Sequence, residues 1–172
     1  MVNIKALNRE LLPNYVVDRE IRYYRQYYRM KEFEKAISQF EQLLQDKDTF
    51  NRIKIPNFKF QPVLKPMQIH FEVEYIDGYL LSEPGILTEE RLDIIYEDLI
   101  CRKNSCFFDI NPYNIIIDDR EKVGQHACGN YLYWVDLEGY GTGNFDDRLK
   151  AFEEKILSKY HKEDEYRSKL CL

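Results

Sequence analysis

Three side chains able to hold or move charge stand at spacings that suit a single site: Asp109, Asn114 and Asp136. Asp109 and Asn114 lie five positions apart in FFDINPYNIIID, a loop running into a strand-like apolar stretch, so both polar groups can point into one cleft. Asp136 ends the run YLYWVD and is followed at once by Leu137, Glu138 and Gly139. A hairpin between these two stretches brings the second carboxylate beside the first, and an all-oxygen set of this kind suits hard cations. The competing reading of Asp109 and Asn114 is turn chemistry, because Asp, Asn and Pro bond readily to nearby backbone. For Asp136 it is a surface acid at a strand end. Trp134 and Val135 speak against that, since they predict a buried strand in which a carboxylate needs a partner.

The elements that would position these residues follow from periodicity. Asn114–Ile117 and Tyr131–Val135 read as the two strands of the hairpin, with a long turn from Asp118 to Asn130 between them. Upstream, Thr88 caps a helix whose apolar stripe is Leu92, Ile95, Tyr96, Leu99 and Ile100. Before it, Met67–Ile76 alternates strictly, with Ile69, Phe71, Val73 and Tyr75 on one face, and stops at the turn dipeptide Asp77-Gly78. Pro56, Pro62 and Pro66 punctuate short extended runs. From Val17 to Leu44 apolar residues recur every three or four positions, which predicts one long or two consecutive amphipathic helices beginning near Asp18. Val2–Leu7 suits an edge strand, and Leu149, Phe152, Ile156 and Tyr160 mark a last helix over about 146–160.

With these residues in this order, the chain resembles the protein-kinase-like superfamily, whose catalytic loop carries Asp and Asn at this spacing and whose metal-binding Asp follows a hairpin. The resemblance implies that Asp109 accepts the proton of an acceptor hydroxyl, and that Asn114 and Asp136 ligate Mg2+ bridging the phosphates of ATP. Gly139 then supplies the flexible turn after the metal ligand. Val73–Gly78 is similar to the family's hinge, whose backbone, here Glu74 and Ile76, would meet the adenine. Asn3–Leu7 resembles the VAIK strand and Arg19-Glu20-Ile21 the start of the regulatory helix, so Lys5 would touch the phosphates and pair with Glu20. The implied fold class is α+β: a minimal two-lobed kinase-like domain with a reduced N-terminal lobe and hinge (1–77), a short helical C-terminal lobe (78–160) and a tail (161–172).

The sequence departs from the family's pattern in three places. It holds no GxGxxG, Phe107 and Phe108 stand where typical kinases have His and Arg, and no APE motif follows Gly139. A short C-terminal lobe is similar to that of lipopolysaccharide-type small kinases and disfavours a conventional protein-substrate platform. Two functions are therefore expected in competition: an atypical Mg-ATP phosphotransferase whose site is closed by a protein partner or by self-association, and a pseudokinase acting as a protein-binding regulator.

Composition narrows the partners. The 30 acidic and 25 basic residues are well mixed, so no one-sided field draws in nucleic acid or a membrane surface. No long apolar run or secretory leader is evident, which predicts a cytoplasmic protein with its four cysteines reduced. Cys101, Cys106, His126 and Cys128 lack the paired spacing of zinc fingers. The cluster Tyr23, Tyr24, Tyr27 and Tyr28, with its interleaved arginines, reads as a helix face partly in the core.

Overall fold

The computed structural model describes the backbone of residues 9–11 and 21–27 and the whole of residues 28–50, 52–105, 107–118 and 132–163. It is a mixed α+β chain that divides into two units. The first comprises the described residues up to Asp48 together with Pro56–Ile76. The second comprises Thr49–Ile55 and the described residues from Asp77 onward.

The first unit is a four-stranded antiparallel sheet with one helix. Strands β1 (Arg9–Leu11), β2 (Ile21–Tyr27), β3 (Phe58–Val63) and β4 (Gln68–Glu74) are ordered β1-β2-β4-β3. Pro62 sits in β3, at the sheet edge, where the missing N–H costs no ladder bond. Helix α1 (Met30–Asp46) buries Phe33, Ala36, Phe40 and Leu43, and the Phe40 ring meets Phe58, Phe60 and Phe71.

Here the sequence expectation is corrected. The predicted helix over Val17–Tyr28 does not exist across 21–27, which pair as a strand with β4 from Ile21↔Glu74 to Tyr27↔Gln68. Ile and Tyr favour strands, and a seven-residue ladder to a partner distant in sequence outweighs a local three-to-four spacing. Ile21 therefore opens a strand, not a regulatory helix, and the tyrosine-rich helix face is withdrawn. Among the described residues of the expected helical region, the helical part is α1. The expected strand Val2–Leu7 lies outside the described residues.

The second unit is built on the antiparallel sheet β5 (Gly78–Leu80), β6 (Ile115–Asp118) and β7 (Leu132–Trp134), in that order. Ile115, Ile116 and Ile117 of β6 are buried, as expected of an apolar strand, and Asp118, expected in the turn, is the strand's buried last residue. Gly78 is obligatory, because a Cβ there would stand 1.8 Å from the Ile117 carbonyl oxygen. Lys54 lies along the outer side of β7, accepting from Trp134 N–H and donating to Leu132 O, each at 2.9 Å.

Helix α2 (Glu89–Cys101) begins as expected, with Thr88 Oγ1 accepting from Arg91 N–H at 3.3 Å. Its buried face differs from the expected stripe: Tyr96 and Ile100 are exposed, while Ile94 and Asp98 are buried. Helix α3 (Phe145–Phe152), capped by Asn144, passes into a π-turn (Glu153–Leu157) and continues helical over 158–163.

Candidate functional site

The loop 107–114 is anchored by aromatic packing and shaped by its own polar side chains. Phe107 and Phe108 are both buried. The Phe108 ring stacks on Trp134 at 5.4 Å and 19° and meets Tyr140 at 4.9 Å, with Phe50 at 5.4 Å. Beyond them the chain turns. Asn111 Oδ1 accepts from Tyr113 N–H at 3.0 Å, and Pro112 opens the short 3-10 turn Pro112–Asn114, a position where proline's missing N–H is harmless.

This turn aims Asn114 back at Asp109. Asn114, 8% exposed, donates from Nδ2 to the Asp109 carbonyl oxygen at 3.3 Å. That orientation places Oδ1, the one atom of Asn114 that could ligate a cation, on the other branch of the amide. The backbone of Asn114 then fastens the opposite strand, its carbonyl accepting from Val135 N–H at 2.9 Å, one residue before Asp136.

Asp136 heads the 3-10 turn Leu137–Gly139. Gly139 packs on the 107–114 loop: a Cβ there would lie 3.2 Å from the Asp109 nitrogen and 3.3 Å from its Cβ. Among the described residues only Gly85 has positive φ, so Gly139 serves close approach here rather than an unusual backbone turn. Two further bonds close the arrangement. Phe107 N–H donates to Gly141 O at 2.9 Å, and Gly141 N–H to Phe107 O at 3.0 Å. Asp109, Asn114 and the segment bearing Asp136 are thereby joined through direct backbone and side-chain contacts.

Beneath this frame lies a buried charge pair that sequence reading did not single out. Arg102 Nε stands 3.4 Å from Asp98 Oδ2, both side chains being almost fully buried. Trp134 Nε1 donates to the same oxygen at 3.4 Å. The guanidinium also donates to Thr49 O at 3.2 Å and lies 3.5 Å above the centre of the Phe50 ring. Burial pushes the Asp98 carboxyl above its ordinary 3.8, opposed by Arg102 and by hydrogen bonds from Trp134 and the Ile53 backbone. The network ties α2, residues 49–53 and β7 together, and β7 is the strand that leads to Asp136. Its trace in the sequence is a charged i,i+4 pair beside the apolar positions Ile94, Ile95 and Leu99.

The rim is different in kind. The Asp109 side chain is 43% exposed and has Arg148 Nη1 at 3.6 Å and Lys155 Nζ at 3.7 Å. Neither cation belongs to the sequence motif.

Of the other expected site residues, Lys5 and Glu20 lie outside the described residues. Glu74 and Ile76 belong to the first unit. Glu74 N–H donates to Asn57 O at 2.8 Å, and its carboxylate accepts from Asn57 N–H and Nδ2. Ile76 is buried. Cys101 is a free, exposed thiol, and Cys106, His126 and Cys128, the other residues weighed and disfavoured for zinc, lie outside the described residues.

As a donor set, Asp109, Asn114 and Asp136 present oxygen and fit Mg2+ rather than a soft metal. Among the described residues no group of three or more His, Cys, Asp or Glu is placed to hold a metal. One or two carboxylates completed by phosphate oxygens is the usual manner of Mg2+ binding. Among the described residues no helix is long and apolar enough to cross a membrane. No protein-family model matches this chain, and no curated protein matches it in sequence.

Proposed function

We propose that the chain is a minimal, two-lobed kinase-like phosphotransferase that binds Mg-ATP and moves the γ-phosphoryl group to a hydroxyl acceptor. The observation that carries this reading is the fastening of one short loop to one strand end. Asn114 bonds to Asp109, Val135 bonds to Asn114, and Gly139 packs on Asp109. Motif residues that met only by coincidence in sequence would not be expected to make all three contacts.

In this reading Asp109, half-exposed at the rim, receives the acceptor proton, and its loop is held in one conformation by buried rings. Asn114 Oδ1 and the Asp136 carboxylate are the protein's ligands to magnesium, which when bound neutralises phosphate charge. Catalysis then rests on positioning and on charge stabilisation by groups fixed in advance. The passage from the first unit to the second at Ile76–Asp77 falls within the segment read as the hinge, which supports that assignment.

A second reading has its own observation. Phe107 and Phe108 give the loop an apolar foundation in place of the family's polar pair, which suits a kinase-like docking protein without turnover. Calorimetric titration with Mg-ATP, followed by transfer of labelled γ-phosphate, separates the two. The phosphotransferase predicts binding lost in Asp136→Ala and transfer lost in Asp109→Asn. Binding without transfer would favour the docking protein, and no binding, or equal binding by Asp136→Ala, would reject the nucleotide site.

A further inference from the structure

Helix α3 and the π-turn after it bring two cations to one carboxylate oxygen. Arg148 Nη1 and Lys155 Nζ both approach Asp109 Oδ1, at 3.6 and 3.7 Å. These are ion-pair separations, longer than the about 2.7–2.9 Å of a charge-assisted hydrogen bond. Two positive charges face a single negative one, and neither is locked to it by a short bond.

Their placement is built into the loop. Arg148 is only 21% exposed, and a Cβ on Gly143 would lie 3.0 Å from its Nε and 3.1 Å from its Nη2, so the guanidinium rests against that glycine. The same loop is bonded in both directions to Phe107, two residues before Asp109. The position of Arg148 is thus tied to the position of the base. Lys155 lies in the π-turn Glu153–Leu157. Such turns interrupt α-helical spacing and recur at functional sites. By contrast, the neighbouring Lys150 pairs with Glu154 in an ordinary exposed i,i+4 contact.

We infer that Arg148 and Lys155 form the oxyanion-binding pair for the transferring γ-phosphoryl group, an assignment that rests on the phosphotransferase reading. A base that takes the acceptor's proton must stand next to the reacting phosphorus, so cations fixed at the base are also within reach of the phosphoryl oxygens. In the transfer, the acceptor oxygen bonds to the γ-phosphorus, the bond to the β-phosphate bridging oxygen breaks, the hydroxyl proton goes to Asp109 and ADP leaves. The group in transit carries charge on three equatorial oxygens. Arg148 offers a planar fork to two of them, and Lys155 a compact charge to the third.

The test compares nucleotides on the full chain. Calorimetry with Mg-ADP and with the magnesium complex of the imido analogue of ATP gives the affinity added by the γ-phosphate. The pair predicts tighter binding of the triphosphate, with an advantage that falls about tenfold in Arg148→Gln/Lys155→Met while Mg-ADP affinity stays at the wild-type value. Unchanged ADP affinity also controls for folding. Gly143→Ala, which keeps every charge but crowds the guanidinium, is expected to lower the advantage in the same direction, and Arg148→Lys with Lys155→Arg to retain part of it. Nucleotide binding with an unaltered triphosphate advantage in the double variant would overturn this inference alone, including the case in which only the acceptor's KM rises, because the pair would then serve an anionic acceptor. No binding of either nucleotide would overturn it together with the phosphotransferase reading.

Discussion

The two sides of the Phe107–Asn114 loop are built on opposite principles. On one side Phe107, Phe108, Trp134 and Tyr140 are buried, backed by the enclosed Asp98–Arg102 pair, and almost every group has a close partner. On the other side Asp109 is 43% exposed, and its two cations stand off at 3.6 and 3.7 Å. The difference separates support from work. Tight burial holds a backbone still, whereas a group that must exchange one partner for another during a reaction is better served by loose, reversible contacts. Changes to the buried side should therefore appear as lost stability, and changes to the rim as lost activity in a protein that still folds.

The largest effect is expected at Trp134. Trp134→Ala opens a cavity beneath Phe108 and removes the indole N–H from buried Asp98, which should cost about 3–5 kcal/mol in urea unfolding. A small loss would mean that the aromatic side is not the foundation it is taken to be. Asp109→Asn should produce the reverse pattern: stability within about 1 kcal/mol of wild type, because the pairs it loses are partly exposed, and phosphate transfer down by about 10²–10⁴-fold. Equal losses in both measurements would dissolve the distinction between the two sides.

A pH series sharpens it further. Burial raises the Asp98 carboxyl above 3.8, so between that value and the raised one the native state binds the proton that the unfolded chain releases. The stability tied to this proton is fully present below pH 3.8 and is lost as pH rises through the raised value. In unfolding measurements from pH 4 to pH 7, wild type should lose stability relative to Asp98→Asn by at most about 1.4 kcal/mol per pH unit within that window. The smallest effect belongs to Lys150→Ala, where an exposed pair is expected to contribute no more than about 0.5 kcal/mol and to leave transfer untouched.

How far these features were legible in the sequence depended on how local their causes are. Asn114–Ile117 and the alternation of residues 67–76 announced strands, and Thr88 announced a helix start, because each signal lies within a few residues. The stretch 21–27 was misread because its apolar spacing fits a helix and a strand alike, and the deciding partner, β4, lies more than forty residues away. The face of α2 was misjudged at Tyr96 and Ile100, since a charged Asp98 is expected outside and is drawn inside by Arg102 and Trp134. Asp109, Asn114 and Asp136 carry a recognisable spacing. Arg148 and Lys155 carry none: charges on a terminal helix are ordinary, and it is the Phe107–Gly141 tether and the turn into α3 that bring these two to Asp109.

The proposed function places a metal-nucleotide complex beside Asp109, Asn114 and Asp136. Replacing magnesium by paramagnetic Mn2+ in the ATP complex and recording backbone amide spectra measures it directly. The account predicts the strongest line broadening at residues 109–114 and 136–139, abolished in Asp136→Ala. Broadening centred elsewhere in the chain, or unchanged by that substitution, would contradict it.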